Sequence, residues 1–171
     1  LSNAGLAMRN PNPSELFSDG LHHSNGTIEL GSLGIKKEQS FKLSATLLKH
    51  GGSFSLEAMP YLNAIRNFIY LNPTGVEYTI RGTFPVYNYA QDNVVMAGFD
   101  LHIDWDISSH FHHSFTFAYV HADNTTRNEP LIDMPPLNIN NAIRYGTGWH
   151  SLFVELRSEA VFAQSRYPDN N

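Results

Sequence analysis

Cysteine is absent from the 171 residues. That excludes disulfides and thiolate metal sites, and leaves the compartment open. Charge is scarce: Asp, Glu, Lys and Arg make up 16%, against about a quarter in an average soluble domain. The formal net charge is −5, with no basic stripe, so nucleic acid is not an expected partner. No apolar run approaches the ~18 residues that a membrane helix needs, and no secretory leader is visible. The chain also lacks Gly-x-Ser-x-Gly, a phosphate-binding loop, a Ser/His/Asp arrangement and carboxylate pairs at glycosidase spacing. The expectation is a protein that is not an enzyme and that requires no cofactor.

What is present is aromatic: 12% of the chain, including eleven Phe and eight Tyr, alongside twelve Gly. This composition suggests an all-β protein, and the length suits one unit. Ser2-Asn3-Ala4 has the look of a cloning remnant, so residues 1–4 are set apart and 5–171 are taken together. Residues 6–26 read as loop, with Pro11, Pro13, Gly20, Asn25 and Gly26. Ser14 could cap one helical turn through Glu15-Leu16-Phe17, and Thr27–Leu30 is a short strand candidate. Six long strands are then expected at 39–49, 54–70, 93–106, 111–122, 139–145 and 151–164. Short turns at 50–53, 107–110 and 146–148 alternate with long connections. The connection 71–92 holds a small hairpin of its own, and 123–138 carries Pro130, Pro135 and Pro136. Pro60 removes a ladder donor, so a bulge or edge position is expected there. The stretch 64–70 fits a helix by spacing, but its Ile, Phe and Tyr favour strand. The fold class is thus an antiparallel up-and-down meander of about six long strands with short extra strands in its loops.

The decapeptide GFDLHIDWDI, residues 98–107, carries the functional signal. Phe99, Leu101, Ile103 and Trp105 alternate with Asp100, His102, Asp104 and Asp106. A soluble sandwich puts such an apolar face inward, whereas a membrane barrel turns it to lipid and the polar face to the lumen. Three features favour the barrel. Lys42, Glu57, Asp100, His102, Asp104, Arg144, Glu155, Arg157 and Glu159 all share the polar faces of their strands. Several strands reach the nine to eleven residues or so that a tilted span needs. Short turns alternate with long loops. A soluble β-sandwich that binds ligand through 71–92 and 123–138, and a complete small eight-stranded barrel, stay open as alternatives.

The order of motifs resembles the late barrel of TonB-dependent outer-membrane receptors. In RNPNPSELFSDGLHHSNGTIELGSLGIKKEQS the matching residues are Arg9, Pro11, Glu15, Leu16, Gly20, His22, His23, Thr27, Glu29 or Leu30, Gly31, Leu33, Glu38 and Ser40. GFDLHIDWDI, FTFAYVHADN and NEPLIDMPPLNINNAIRY follow in the family's order, and the likeness covers nearly all of residues 9–166. Two departures are notable. Ile35-Lys36-Lys37-Glu38 replaces the family's Leu-Lys-Pro-Glu, and a plug domain and the last barrel strand are not found.

The resemblance implies an outer-membrane location and part of a larger β-barrel. The implied partners are outer-membrane lipid, the receptor's own plug domain, the TonB energising protein and a small nutrient ligand such as a siderophore, haem or metal chelate. It further implies that Asp100, His102, Asp104, Arg144, Glu155 and Arg157 face the lumen. Ligand-contact candidates are Asp19, His22 and His23 in the first outer loop, Phe84, Tyr87 and Tyr89 in the second, and Asp133 and Met134 in the third. Loop packing or an interfacial aromatic girdle accounts for the same residue types. His110-x-His112-His113 could chelate through His110 and His112, though a polar turn explains it more simply. Asp100 and Asp104 lie roughly 13 Å apart along a strand, too far to share an ion, so pairing with Arg144 or Arg157 is expected. A cut barrel leaves edge strands and an apolar face bare, so an isolated piece is expected to self-associate.

Overall fold

The computed structural model describes residues 1–146 and 152–168. The elements in chain order are β1 (Ser2–Arg9), α1 (Pro13–Phe17), β2 (Asp19–His22), β3 (Thr27–Leu30), β4 (Glu38–Ala45), β5 (Leu47–Gly51), β6 (Phe54–Thr79), β7 (Gly82–Asp106), β8 (Phe111–Asn124), β9 (Glu129–Pro130), β10 (Asn138–Gly146) and β11 (Phe153–Val161). All the strands belong to one sheet, with the long strands in the order β1-β4-β6-β7-β8-β10-β11 and every long pair antiparallel. The sheet is open, β1 and β11 forming its two ends. The meander expected from the alternation is therefore present, with seven long strands rather than six among the described residues.

Four expectations need correction. Residues 2–4 do take part in the fold: Ser2, Asn3 and Ala4 pair with Ala45, Ser44 and Leu43. The stretch 6–26 is not all loop, since it holds the end of β1, α1 and β2. Residues 71–92 are not a separate hairpin. β6 and β7 run on without interruption to a tip at Ile80–Arg81, and bulges between Ile65/Phe68 and Pro73/Gly75 absorb the irregular residues. Pro60 occupies neither a bulge nor an edge, but a central strand in unbroken register. Between Gln39 and Gly51, bridges to β6 are missing only at Ala45 and Thr46, where the absent N–H of Pro60 would have served the ladder. β4 and β5 are thus one strand interrupted by a missing donor. Of the turn expected at 146–148, Thr147 and Gly148 lie outside the described residues.

The sheet is one layer thick, and its two faces differ as the decapeptide suggests. Phe99, Leu101, Ile103 and Trp105 pair with Pro60, Ala58, Leu56 and Phe54 on one side and with Tyr119, Phe117, Phe115 and His113 on the other. Among the described residues, no second sheet covers this apolar face. Leu6, Phe41, Leu43, Leu47, Leu62, Trp105, Ile143 and Leu156 are all exposed. The total accessible surface is 11423 Å², against about 8,400 Å² expected for a globular monomer of this mass. The two-layer sandwich therefore finds no support, and neither does a closed eight-stranded barrel. The buried cluster is small: Val94, Ala122 and Leu131 with Phe68, Met96 and Met134 around them. It sits on the polar-face parity of β7 and β8, at the end of the sheet that carries the long loops.

Candidate functional site: the polar face and its loop end

Near the short-turn end of the polar face, Asp104 stands between two imidazoles. His102 Nε2 lies 2.7 Å from Asp104 Oδ2, and His112 Nε2 lies 3.6 Å from Asp104 Oδ1. His112 Nδ1 is also 2.8 Å from Asp106 Oδ1. Register explains the grouping, because Asp104 faces Ser114 and Asp106 faces His112 across the β7–β8 ladder. The acidic run is therefore met by histidines of its own strand and the next, rather than by Arg144 or Arg157. Those arginines converge on Glu155 instead: Arg144 Nη2 is 2.8 Å from Glu155 Oε2, and Arg157 reaches the other oxygen. A polar groove of about 630 Å³ runs between these groups, lined among others by His112, Thr116, Asn140, Arg144, Glu155 and Arg157. Asp100 faces Met59 and Ala118.

The triple histidine motif does not converge. His110 Nδ1 lies 2.9 Å from Ser109 Oγ, His112 points to the aspartates, and His113 takes the opposite face, 2.5 Å from Asn141 Oδ1. Among the described residues, no group of three or more His, Cys, Asp or Glu is arranged to hold a metal ion. Polar groups on the apolar face collect near strand ends or satisfy each other. Arg166 Nη2 is 2.5 Å from Asp123 Oδ1, and His121 Nε2 is 2.9 Å from the same carboxylate's Oδ2. Lys49 lies 5.7 Å from the Phe54 ring centre.

At the loop end, a buried carboxylate organises the mouth. Asp92 accepts hydrogen bonds from Tyr70 (2.5 Å) and Asn124 (2.8 Å), and Arg127 Nε stands 2.8 Å away. Burial, then the hydrogen bond to Asp92, pushes the Tyr70 phenol well above its usual value. None of these four residues stands out by motif. The available signal is that Arg127 is the only Lys or Arg between 123 and 137, and a buried carboxylate needs such a partner.

The expected ligand-contact residues scatter. Asp19 and His23 are exposed, and His22 Nδ1 is 3.5 Å from buried Glu29. Tyr89 donates to Glu29 at 3.3 Å, and burial followed by the Glu29 charge raises its phenol pKa. Tyr87 and Tyr89 share the parity of the apolar row of β7. Met134 packs against the small buried cluster, and Asp133 adopts φ +58° in its turn.

The N-terminal motif residues, by contrast, meet at one point. Arg9 Nη1 lies 2.8 Å from Glu15, and Arg9 Nη2 lies 3.1 Å from Glu38. Glu15 also accepts from the Asn12 amide at 2.7 Å, closing a capping box on α1.

The match to known proteins follows from this arrangement. Residues 2–171 match the family described as TonB dependent receptor-like, beta-barrel. The chain belongs to that family. Solved structures that share its fold include two metal-ion transporters by name. The copper transporter OprC has a TM-score of 0.79 at 21% identity, over 96% of this chain and 24% of that one. The FrpB iron transporter from Neisseria meningitidis (F3-3 variant) has a TM-score of 0.60 at 12% identity, over 94% of this chain and 24% of that one. At these identities the likeness is one of fold, and the chain spans about a quarter of each protein's length. No curated protein matches it in sequence. In a TonB-dependent barrel the bare apolar row has a physical explanation, since lipid rather than a second sheet covers it.

Proposed function

We propose that this chain is a stretch of barrel wall from an outer-membrane TonB-dependent receptor that imports a scarce nutrient, a siderophore, haem or another metal chelate. The observation that carries the reading is the single-layer sheet, bare and apolar on one face and polar on the other, in a chain of this family. The apolar face meets lipid. The polar face lines the lumen beside a plug domain, and the loop end stands outside, where ligand is collected. Asp19, His22, His23, Tyr87 and Tyr89 belong to that outer end. Energy enters through the TonB protein acting on the plug, and ligand then passes along the wall holding Asp100, His102, Asp104, Arg144, Glu155 and Arg157. The similar structures are named as copper and iron transporters, which favours a metal-bearing nutrient.

The test is growth of a strain lacking the parent gene on single sources of iron, copper, haem, cobalamin or glycan. Loss of growth on one metal-bearing source, restored by the intact gene, supports the proposal. Normal growth on every metal source with loss on a glycan overturns the ligand class. Recovery of the full protein in the soluble fraction overturns the membrane reading.

A further inference from the structure

Residues 10–37 leave the top of β1, run beside the β6/β7 hairpin as far as Val86–Asn88 and return across its root to the top of β4. Their fastenings are unusually complete. The Arg9 guanidinium bridges Glu15 on α1 and Glu38 on β4. Glu38 Oε2 also accepts from the Ile69 amide of β6 at 3.2 Å. Gln91 of β7 clasps Lys36 from both sides, accepting from its amide at 2.7 Å and donating to its carbonyl at 2.7 Å. β3 adds to β7 in parallel through Ile28–Leu30. Within the segment, Gly31 donates to the Ser18 carbonyl at 2.7 Å and Ser32 to the Glu15 carbonyl at 2.9 Å.

The return of this segment at Lys36–Lys37 lies over the first of the two places where β6 departs from regular strand. Asn67, with φ +55°, forms the bulge between Ile65 and Phe68. It donates to the Lys37 carbonyl at 3.3 Å, and Gln91 donates to its own carbonyl at 2.9 Å. Beyond the bulge the hairpin projects twelve residues, Phe68 to Thr79, roughly 40 Å at strand rise.

We propose that residues 10–37 are a belt, buckled by Arg9, Glu15 and Glu38, that fixes the angle at which this outer hairpin leaves the barrel, with the Asn67 bulge as its pivot. A bulge weakens and bends the ladder locally, so the ladder alone leaves the angle under-determined and the belt supplies the missing constraint. The inference rests on the barrel reading for which end is outside, but its geometry does not depend on what is transported.

The test is a pulsed spin-label distance in the complete receptor, in membranes, between labels at Ile80→Cys and Thr125→Cys. The second position is exposed and keeps its amide bond to the Asn93 carbonyl, while the Thr126 hydroxyl still accepts from the Asn93 amide. Unaltered protein should give one narrow distance. Arg9→Gln and Glu38→Gln should broaden or shift it, while Arg9→Lys shifts it less. Gly31→Ala attacks the belt without touching a charge, because a Cβ there would meet the Leu16 carbonyl carbon at 2.6 Å and the Phe17 nitrogen at 2.7 Å. It should move the label in the same way. Resistance of the barrel to unfolding in detergent serves as the control for folding. An unchanged narrow distance in both Glu38→Gln and Gly31→Ala, in a folded barrel, overturns the proposal. Normal growth of the strain lacking the parent gene on every nutrient, with label distances behaving as expected, would sink the transport reading and leave the belt standing.

Discussion

At the residue scale, two close contacts in the wall make measurable claims. Asp92 accepts from the Tyr70 hydroxyl and also from the Asn124 amide. Asp92→Ala leaves both donors without that acceptor, at about 1–3 kcal/mol for each buried group left unsatisfied. It also takes from Arg127 its nearest carboxylate, leaving Asn72 at 3.2 Å and Glu129 at 4.0 Å, so the expected outcome is earlier chemical unfolding and faster proteolysis of the 125–130 turn. Tyr70 itself gives a pH signature. Its folded pKa is raised above the unfolded value of 10.0, so the neutral phenol favours the folded state. That stabilisation is complete below pH 10 and declines as the pH rises beyond it. Tyr70→Phe should flatten the alkaline loss of stability and remove the last tyrosine ionisation step seen by ultraviolet titration. A wild-type and Tyr70→Phe pair with the same alkaline profile would contradict the burial argument. The second contact is between Gly98 and Tyr61, which face each other across β6 and β7. A Cβ on Gly98 would fall 2.1 Å from the Tyr61 ring, so the ring covers the glycine as an aromatic often does in sheets. Gly98→Ala should cost about 1–3 kcal/mol by overpacking. Tyr61→Ala should cancel much of that cost, so a double-mutant cycle should return a clear coupling, whereas strict additivity would mean that the ring simply turns aside.

At the element scale, the lower halves of the strands were legible because period two survives wherever one face is apolar. QSFKLSATLLK, GFDLHIDWDI and FTFAYV each keep that alternation, and each is strand in the structure except at Thr46 and Ile107. β1 was not legible: in SNAGLAMR only Leu6 and Met8 stand against small or neutral residues, and its polar face holds no charge until Arg9. The upper parts of β6 and β7 were hidden for a different reason. Asn72-Pro73-Thr74-Gly75 reads as a turn, yet a bulge takes up the extra residue there and Gly75 supplies φ +148°, a conformation open mainly to glycine. The candidate site divides along the same line. That Asp100, His102 and Asp104 share a face could be read from spacing. That Asp104 meets His112 could not, because it depends on cross-strand register, which local sequence does not fix. Pro60 shows both limits at once. The missing donor was foreseeable, but its consequence, two absent bridges in a central strand without a bulge, was not. Pro60→Ala should therefore restore one ladder bond and render the amide of residue 60 slow to exchange in detergent. The net gain should be under about 1 kcal/mol, since the greater freedom of the unfolded chain offsets part of the bond. Fast exchange at that amide would show that the interruption has another cause.

At the scale of the whole molecule, stability depends on what covers the apolar face. Few apolar residues are fully buried, so the folding energy of a globular core is missing and lipid or detergent has to supply the apolar environment. Prepared alone, the 171-residue chain should be monodisperse only with detergent. Without it, light scattering should give a multiple of 19.2 kDa, through either the bare face or the open edges at β1 and β11. The two faces can be told apart more sharply with a pair of substitutions at neighbouring positions. Asp100 and Leu101 both lie near the middle of the spanning part of β7, and they point to opposite sides of the sheet. Leu101→Arg places a cation at mid-depth against lipid, a change that costs about 2–4 kcal/mol in outer-membrane barrels. Asp100→Arg places the same cation on the polar face beside Met59 and Ala118, which the proposed barrel turns to water. Folding yield into lipid vesicles should fall steeply for the first and little for the second. In a water-soluble protein that turned its polar face outward and packed its apolar face within, both results would be recoverable in buffer without detergent. In a barrel with the faces reversed the order of the two would invert. Only the arrangement with Leu101 toward lipid yields a detergent-dependent protein whose arginine at 101 is harmful and whose arginine at 100 is tolerated.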